Sequence, residues 1–120
     1  MSPSPVIKLP VNNPTNTLDI RYLIRALLKY QASDLHLKGG RPPLYRINGK
    51  LIPAKMPELD EAQVQAVIYS VLSSRQICEL EKKLQIDFSF CIKELGRFRC
   101  NVYYQRGAVS AAASAHGPRA

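Results

Sequence analysis

Apolar residues recur along this chain with two distinct periods, and the switches between them divide it into elements. Ile20, Leu23, Ile24, Leu27 and Leu28 repeat at the i, i+3, i+4, i+7 spacing of one helix face, so a helix is predicted here, with Asn16 or Thr17 as its cap. Arg21, Arg25 and Lys29 fall on its other side and read as a solvated face. The period then drops to two. Asp34-Leu35-His36-Leu37-Lys38 alternates polar and apolar, as a half-buried strand does, and ends at Gly39-Gly40. Pro42 and Pro43 open a second strand, Leu44 to Ile47. Asn48-Gly49 follows, before Lys50-Leu51-Ile52, and this pair signals a tight hairpin because a type I′ turn needs positive φ at both central residues.

Helical spacing returns after Pro53 and Pro57. Asp60 with Gln63 makes a capping box for a helix whose Val64, Val67, Ile68, Val71 and Leu72 form one stripe. A second, short helix is expected from Ser73 or Ser74, turning Ile77, Leu80 and Leu84 inward and Glu79, Glu81, Lys82 and Lys83 to water. Two long strands come next. Ile86, Phe88, Phe90 and Ile92 alternate with Asp87, Ser89 and Cys91, and beyond Glu94-Leu95-Gly96, Phe98, Cys100, Val102 and Tyr104 alternate with Arg97, Arg99, Asn101 and Tyr103. Keeping both apolar sets on one face lets Phe90 oppose Cys100 and puts Cys91 on the opposite face, which disfavours a Cys91–Cys100 disulfide. The same parity carries Arg97 and Arg99 away from the core, beside Asn101. The order, one helix, three strands, two helices and two long strands, is that of an α+β domain with helices packed on an antiparallel sheet.

The two ends read differently. Residues 1–15 carry Pro3, Pro5, Pro10 and Pro14 and are expected to form a flexible leader. From Ser110 onward no large apolar residue appears, and 113–120 in particular read as a disordered tail.

A length of 120 residues suits one domain with a real core. The formal charge of +8 would attract phosphate, anionic lipid, nucleic acid or an acidic surface, but the basic residues are dispersed and no nucleic-acid reader motif is present, so no nucleic acid is expected. No run of about 18 apolar residues or signal-like start exists, which points to the cytoplasm. Cys78, Cys91 and Cys100 form no C-x-x-C pair and fit reduced thiols.

Catalytic chemistry is hard to place. The one Gly-Lys pair, Gly49-Lys50, is followed by Leu51 and lacks the glycine five positions earlier, so there is no phosphate-cradling P-loop and no hydroxyl for magnesium. His36 and His116 have no ligand at metal spacing, and Asp34, Asp60 and Asp87 lie in three different elements as strand-end or cap residues.

Four blocks in order nevertheless form a specific series: Ala32-Ser33-Asp34-Leu35-His36-Leu37; Arg41-Pro42-Pro43 with Arg46-Ile47-Asn48-Gly49; Asp87-Phe88-Ser89-Phe90; and Gly96-Arg97-Phe98-Arg99-Cys100-Asn101. This series resembles the PilT branch of the type II/IV secretion-system ATPases from about Leu18 to Ala112. The resemblance implies a PAS-like N-terminal domain over 16–112, followed in the family by a RecA-like domain that holds ATP and magnesium. It also implies a hexameric ring in which the N-terminal domain closes over nucleotide, with neighbouring subunits and the pilus machinery at the inner membrane as partners. Pilus retraction and twitching motility would be the function of such a motor. By the same resemblance Arg97 and Arg99, and less directly Arg106, match the family arginines that approach the nucleotide phosphates. The family continues after Ala112 with a Leu-Arg pair and an Ile-Pro linker where Ala113 and Ser114 stand here, so a truncated or frameshifted end is expected, without a RecA-like domain. Such a chain would bind no cofactor alone and would not be an enzyme by itself. The competing reading is a stand-alone PAS-like module that binds a small ligand, in a core cavity lined by residues such as Phe88, Phe90 and Tyr104, or a protein.

Overall fold

A computed structural model describes residues 19–116. Helix α1, Ile20–Lys29, buries Leu23, Ile24, Ala26 and Leu27 and leaves Arg21, Arg25 and Lys29 exposed, as its stripe requires. Its cap is Asp19, whose carboxylate accepts from the Arg21 N–H at 2.9 Å. This corrects the expected cap at Asn16 or Thr17: a carboxylate one residue before Ile20 satisfies an orphan donor and complements the helix dipole. Asn16 and Thr17, like the expected leader, lie outside the described residues.

Strands β1, Asp34–Leu37, β2, Leu44–Ile47, and β3, Lys50–Pro53, follow. Asn48 and Gly49 hold φ of 51° and 82°, the positive pair a type I′ turn demands. Helix α2, Glu61–Tyr69, has the full capping box, Asp60 accepting from the Gln63 N–H at 2.7 Å and Gln63 Oε1 from the Asp60 N–H at 2.9 Å. Helix α3, Ser74–Lys83, carries a second such box at Ser73 and Gln76. Leu84 was expected inside but is 55% exposed. It closes α3 in a left-handed conformation, its N–H bonded to Leu80 O at 2.7 Å, and the chain turns outward there to enter the sheet.

Three strands complete the sheet: β4, Gln85–Ile92, β5, Gly96–Gln105, and β6, Ala108–Ala115. All pairs are antiparallel, in the order β3-β2-β1-β6-β5-β4. The α+β expectation holds. Parity along β4 and β5 also holds, but Phe90 opposes Phe98, and Phe88 opposes Cys100. The reason is the short loop Lys93-Glu94-Leu95, which pairs Ile92 with Gly96 and slides the register by two residues without changing faces. Cys91 is exposed and Cys100 buried, each a free thiol.

Strand β6 is the main departure from the sequence reading. The expected tail at 113–120 fails for 113–115, which pair with β1 through Leu35↔Ala113 and with β5 through Cys100↔Ala113, Arg99↔Ser114 and Phe98↔Ala115. Residues 117–120 lie outside the described residues. Small side chains do not need apolar bulk when a strand sits at the centre of a sheet: Val109, Ala111 and Ala113 are 3–6% exposed, and their size lets α2 lie close against them. The core thus fills one face of the sheet, with Leu35, Tyr45, Phe98 and Val102 under Leu23, Ile24, Leu27, Val64, Val67 and Leu80. Tyr45 is fully buried and donates to Leu23 O at 2.8 Å, tying β2 to α1.

Candidate functional site

The residues that alternate away from the core make an open, polar sheet face. Across its middle run two rows of opposed residues. One contains Arg46, Asp34, Ser114, Arg99 and Ser89, and the other His36, Ala112, Asn101 and Asp87. Because β6 lies between β1 and β5, Asp34 and Asp87, far apart in sequence, line one shallow depression with Arg99, Asn101, Ala112 and Ser114.

The carboxylates here are held by neighbours. Asp34 accepts from Ser33 Oγ at 2.7 Å, from His36 Nε2 and from Arg46 Nε at 3.3 Å. Partial burial pushes its carboxyl up, yet the hydrogen bonds from Ser33 and His36 with the nearby charges outweigh it and hold the group below its ordinary value. Asp87 Oδ1 accepts from Asn101 Nδ2 at 2.9 Å. Asp60 serves as a cap, as its sequence setting indicated. Among the described residues no group of three or more His, Cys, Asp or Glu could hold a metal ion.

Arg97 and Arg99 stand apart from this network. Both are exposed, two positions apart on β5 and so about 7 Å from one another along the strand. Neither has an ion pair or side-chain hydrogen bond among the described residues. Arg106 does not join them. It occupies the first position of the two-residue turn between Gln105 and Ala108, with φ of 56°, at the far end of β5 and about 30 Å from Arg97 along the strand. The structure therefore brings two of the three sequence-singled arginines together.

Sequence reasoning missed the Asp34–His36–Arg46 group and the Asp87–Asn101 pair as parts of the same face. Alternation in Asp34-Leu35-His36-Leu37 already gave the side on which Asp34 and His36 lie, but uniting that side with Arg99 needed the central strand. Inside the core, the gap lined by Leu35, Leu37, Ile68, Phe90, Cys100 and Ala113 amounts to about 10 Å³, room for one water, with no polar group to hold it. Phe88 is packed at 8% exposure, and the Tyr104 hydroxyl is engaged with that of Tyr69. A core cavity for a small ligand is absent there. Burial pushes the Cys100 thiol up to about 12, which leaves it a protonated, unreactive core group.

No protein-family model matches the chain. The type IV pilus retraction ATPase PilT of Pseudomonas aeruginosa is 40% identical over 92 residues, 76% of this chain and 27% of that protein. A crystal structure of the pilus retraction motor PilT with bound ADP superposes with a TM-score of 0.79 at 41% identity, covering 85% of this chain and 30% of that one. The Legionella pneumophila ATPase DotB shares the fold, with a TM-score of 0.77 at 16% identity over 94% of this chain and 32% of that one. The chain thus spans less than a third of the length of each of these three proteins. Among the described residues no helix is long and apolar enough to cross a membrane.

Proposed function

We propose that this chain, which belongs to the PilT-like type IV pilus retraction ATPases and spans the region of their N-terminal domain, acts as the movable lid of a cytoplasmic motor for pilus retraction and twitching motility. Its partners would be a RecA-like domain that holds ATP and magnesium, and neighbouring subunits of a ring docked on the pilus machinery. The observation that carries the reading is the pair Arg97 and Arg99: two exposed cations with no ion pair or side-chain hydrogen bond among the described residues, on the open face of a PilT-like sheet.

The residues present fit nucleotide as a shared ligand. The chain has no P-loop, so it would not hold or hydrolyse ATP by itself. What it offers is two planar guanidinium forks that can meet phosphate oxygens in bidentate fashion. Bound nucleotide would supply the phosphoryl group whose spreading negative charge such forks stabilise. A rigid strand beneath both arginines keeps their spacing fixed, so the lid approaches as one body. Among the described residues no carboxylate is paired with either arginine, since Asp34 and Asp87, which share the depression with Arg99, are held by Ser33, His36, Arg46 and Asn101, so both forks can turn to a terminal phosphate.

The test is to join this chain to a compatible RecA-like ATPase domain and measure ATP turnover and melting temperature for the parent, Arg97→Ala and Arg99→Ala. Turnover should fall about tenfold or more in each variant while the melting temperature stays within a few degrees. Parental turnover in both variants would mean that these arginines are only a solvated face.

A further inference from the structure

The two edges of the sheet are built differently. β3 is four residues long, begins with Lys50 and ends with Pro53, features that blunt an edge against further pairing. β4 is eight residues long, holds no Pro, Lys or Arg, and has only Asp87 as a charge. Its hydrogen-bonding direction follows from two bonds just outside the ladder. Tyr104 N–H donates to Leu84 O at 2.9 Å, which makes the even-numbered residues of β4 the ones that bond to β5. His116 N–H donates to Arg97 O at 2.9 Å, so the odd-numbered residues of β5 bond to β6, in agreement. The backbone groups of Gln85, Asp87, Ser89 and Cys91 therefore point to the free edge, and all four residues are exposed.

We propose that β4 is a docking edge for β4 of a second copy of this chain, paired antiparallel about a two-fold axis at Phe90. In that register Ser89 faces Cys91 of the second copy and bonds it through the outward-pointing groups, while Phe90 meets Phe90 and Phe88 meets Ile92 on the core side. Phe90 and Ile92 are half-buried in the single chain, at the end of a run of rings in which Phe88, Phe90 and Phe98 stand 5.9 and 5.7 Å apart. Pairing would complete their burial. The charges choose the register and the occupant: Asp87 falls opposite Lys93 of the second copy, the residue that opens the turn just after β4, twice by symmetry. Asp87 uses one oxygen on Asn101, and Lys93 makes no ion pair among the described residues. A two-fold centred on Asp87 would oppose two like charges, and one centred on Phe88 or Ser89 would set Asp87 against Ser89 or Cys91 with no charge partner. The strand is thus complementary to itself in one register.

Sedimentation equilibrium of the full chain under reducing conditions, with circular dichroism to confirm folding, tests this. The parent should be a concentration-dependent dimer. Ser89→Pro removes a donor that faces the free edge and should give a folded monomer. Asp87→Lys and Lys93→Asp should each weaken dimerisation about tenfold, and the double exchange Asp87→Lys with Lys93→Asp should restore it. A parent that stays monomeric at millimolar concentration overturns the proposal. So does a dimer untouched by Ser89→Pro, or a double exchange no tighter than the single ones.

Discussion

Replacing Ala113 with proline separates a central strand from a frayed end by a wide margin. Ala113 is 6% exposed and pairs with Leu35 on one side and Cys100 on the other. Even-numbered residues of β6 bond to β5, so the N–H of Ala113 points to β1 and bonds the carbonyl of Leu35. Proline deletes that donor. The lost ladder bond costs about 1 kcal/mol, the buried carbonyl left without a partner about 1–3 kcal/mol more, and the ring adds steric conflict in mid-sheet. A total of about 3–5 kcal/mol is a large share of the stability of a domain this size. At about 4–8 °C per kcal/mol, the melting temperature should fall by at least roughly 12 °C. Ala115→Pro, beyond the last residue paired with β1, should cost less than half as much. Thermal melts followed by circular dichroism give both numbers. An Ala113→Pro protein that melts within about 2 °C of the parent would refute the placement of β6.

Arg106→Asn should raise stability by about 0.5–1 kcal/mol, since Asn tolerates the positive φ of 56° at that turn far better, and should leave turnover of the joined ATPase unchanged. A thiol reagent at neutral pH should label Cys78 and Cys91 in the native protein and reach Cys100 only on unfolding, because burial suppresses its thiolate; mass spectrometry of the labelled chain reads this directly. Asp34 has a carboxyl pKa lowered on folding, so its contribution is complete above its unfolded value and is lost as pH falls through the folded one. Melts between about pH 2 and 5 should therefore decline less steeply in Asp34→Asn than in the parent.

Elements with a local cause were legible in the sequence. Asn48-Gly49, the Asp60–Gln63 box and the stripe of α1 each rest on residues within one or two turns of each other, and each stands where the pattern put it. Face assignment was legible too, because alternation sets it residue by residue, and it carried Arg97 and Arg99 to the open side. Long-range placement was not. Ala111, Ala112 and Ala113 give no hydrophobic signal alone, and only their neighbours β1, from far back in the sequence, and β5 make that stretch a strand. The Phe90–Cys100 pairing failed for a related reason, since parity fixes the face while the loop at Lys93 to Leu95 fixes the register. The site on the open face inherited the first gap: without β6 in the middle, Asp34 and Arg99 had no reason to meet.

Contact between the Arg97 and Arg99 forks and a terminal phosphate is read most directly from nucleotide affinity in the joined protein. Equilibrium titration with ADP and with a non-hydrolysable ATP analogue gives the ratio of the two dissociation constants for the parent, Arg97→Lys and Arg99→Lys. Lysine keeps the charge and loses the bidentate fork, so the lid account predicts that preference for the analogue over ADP drops about tenfold in at least one variant, with ADP affinity little changed. A parental ratio in both variants would contradict it.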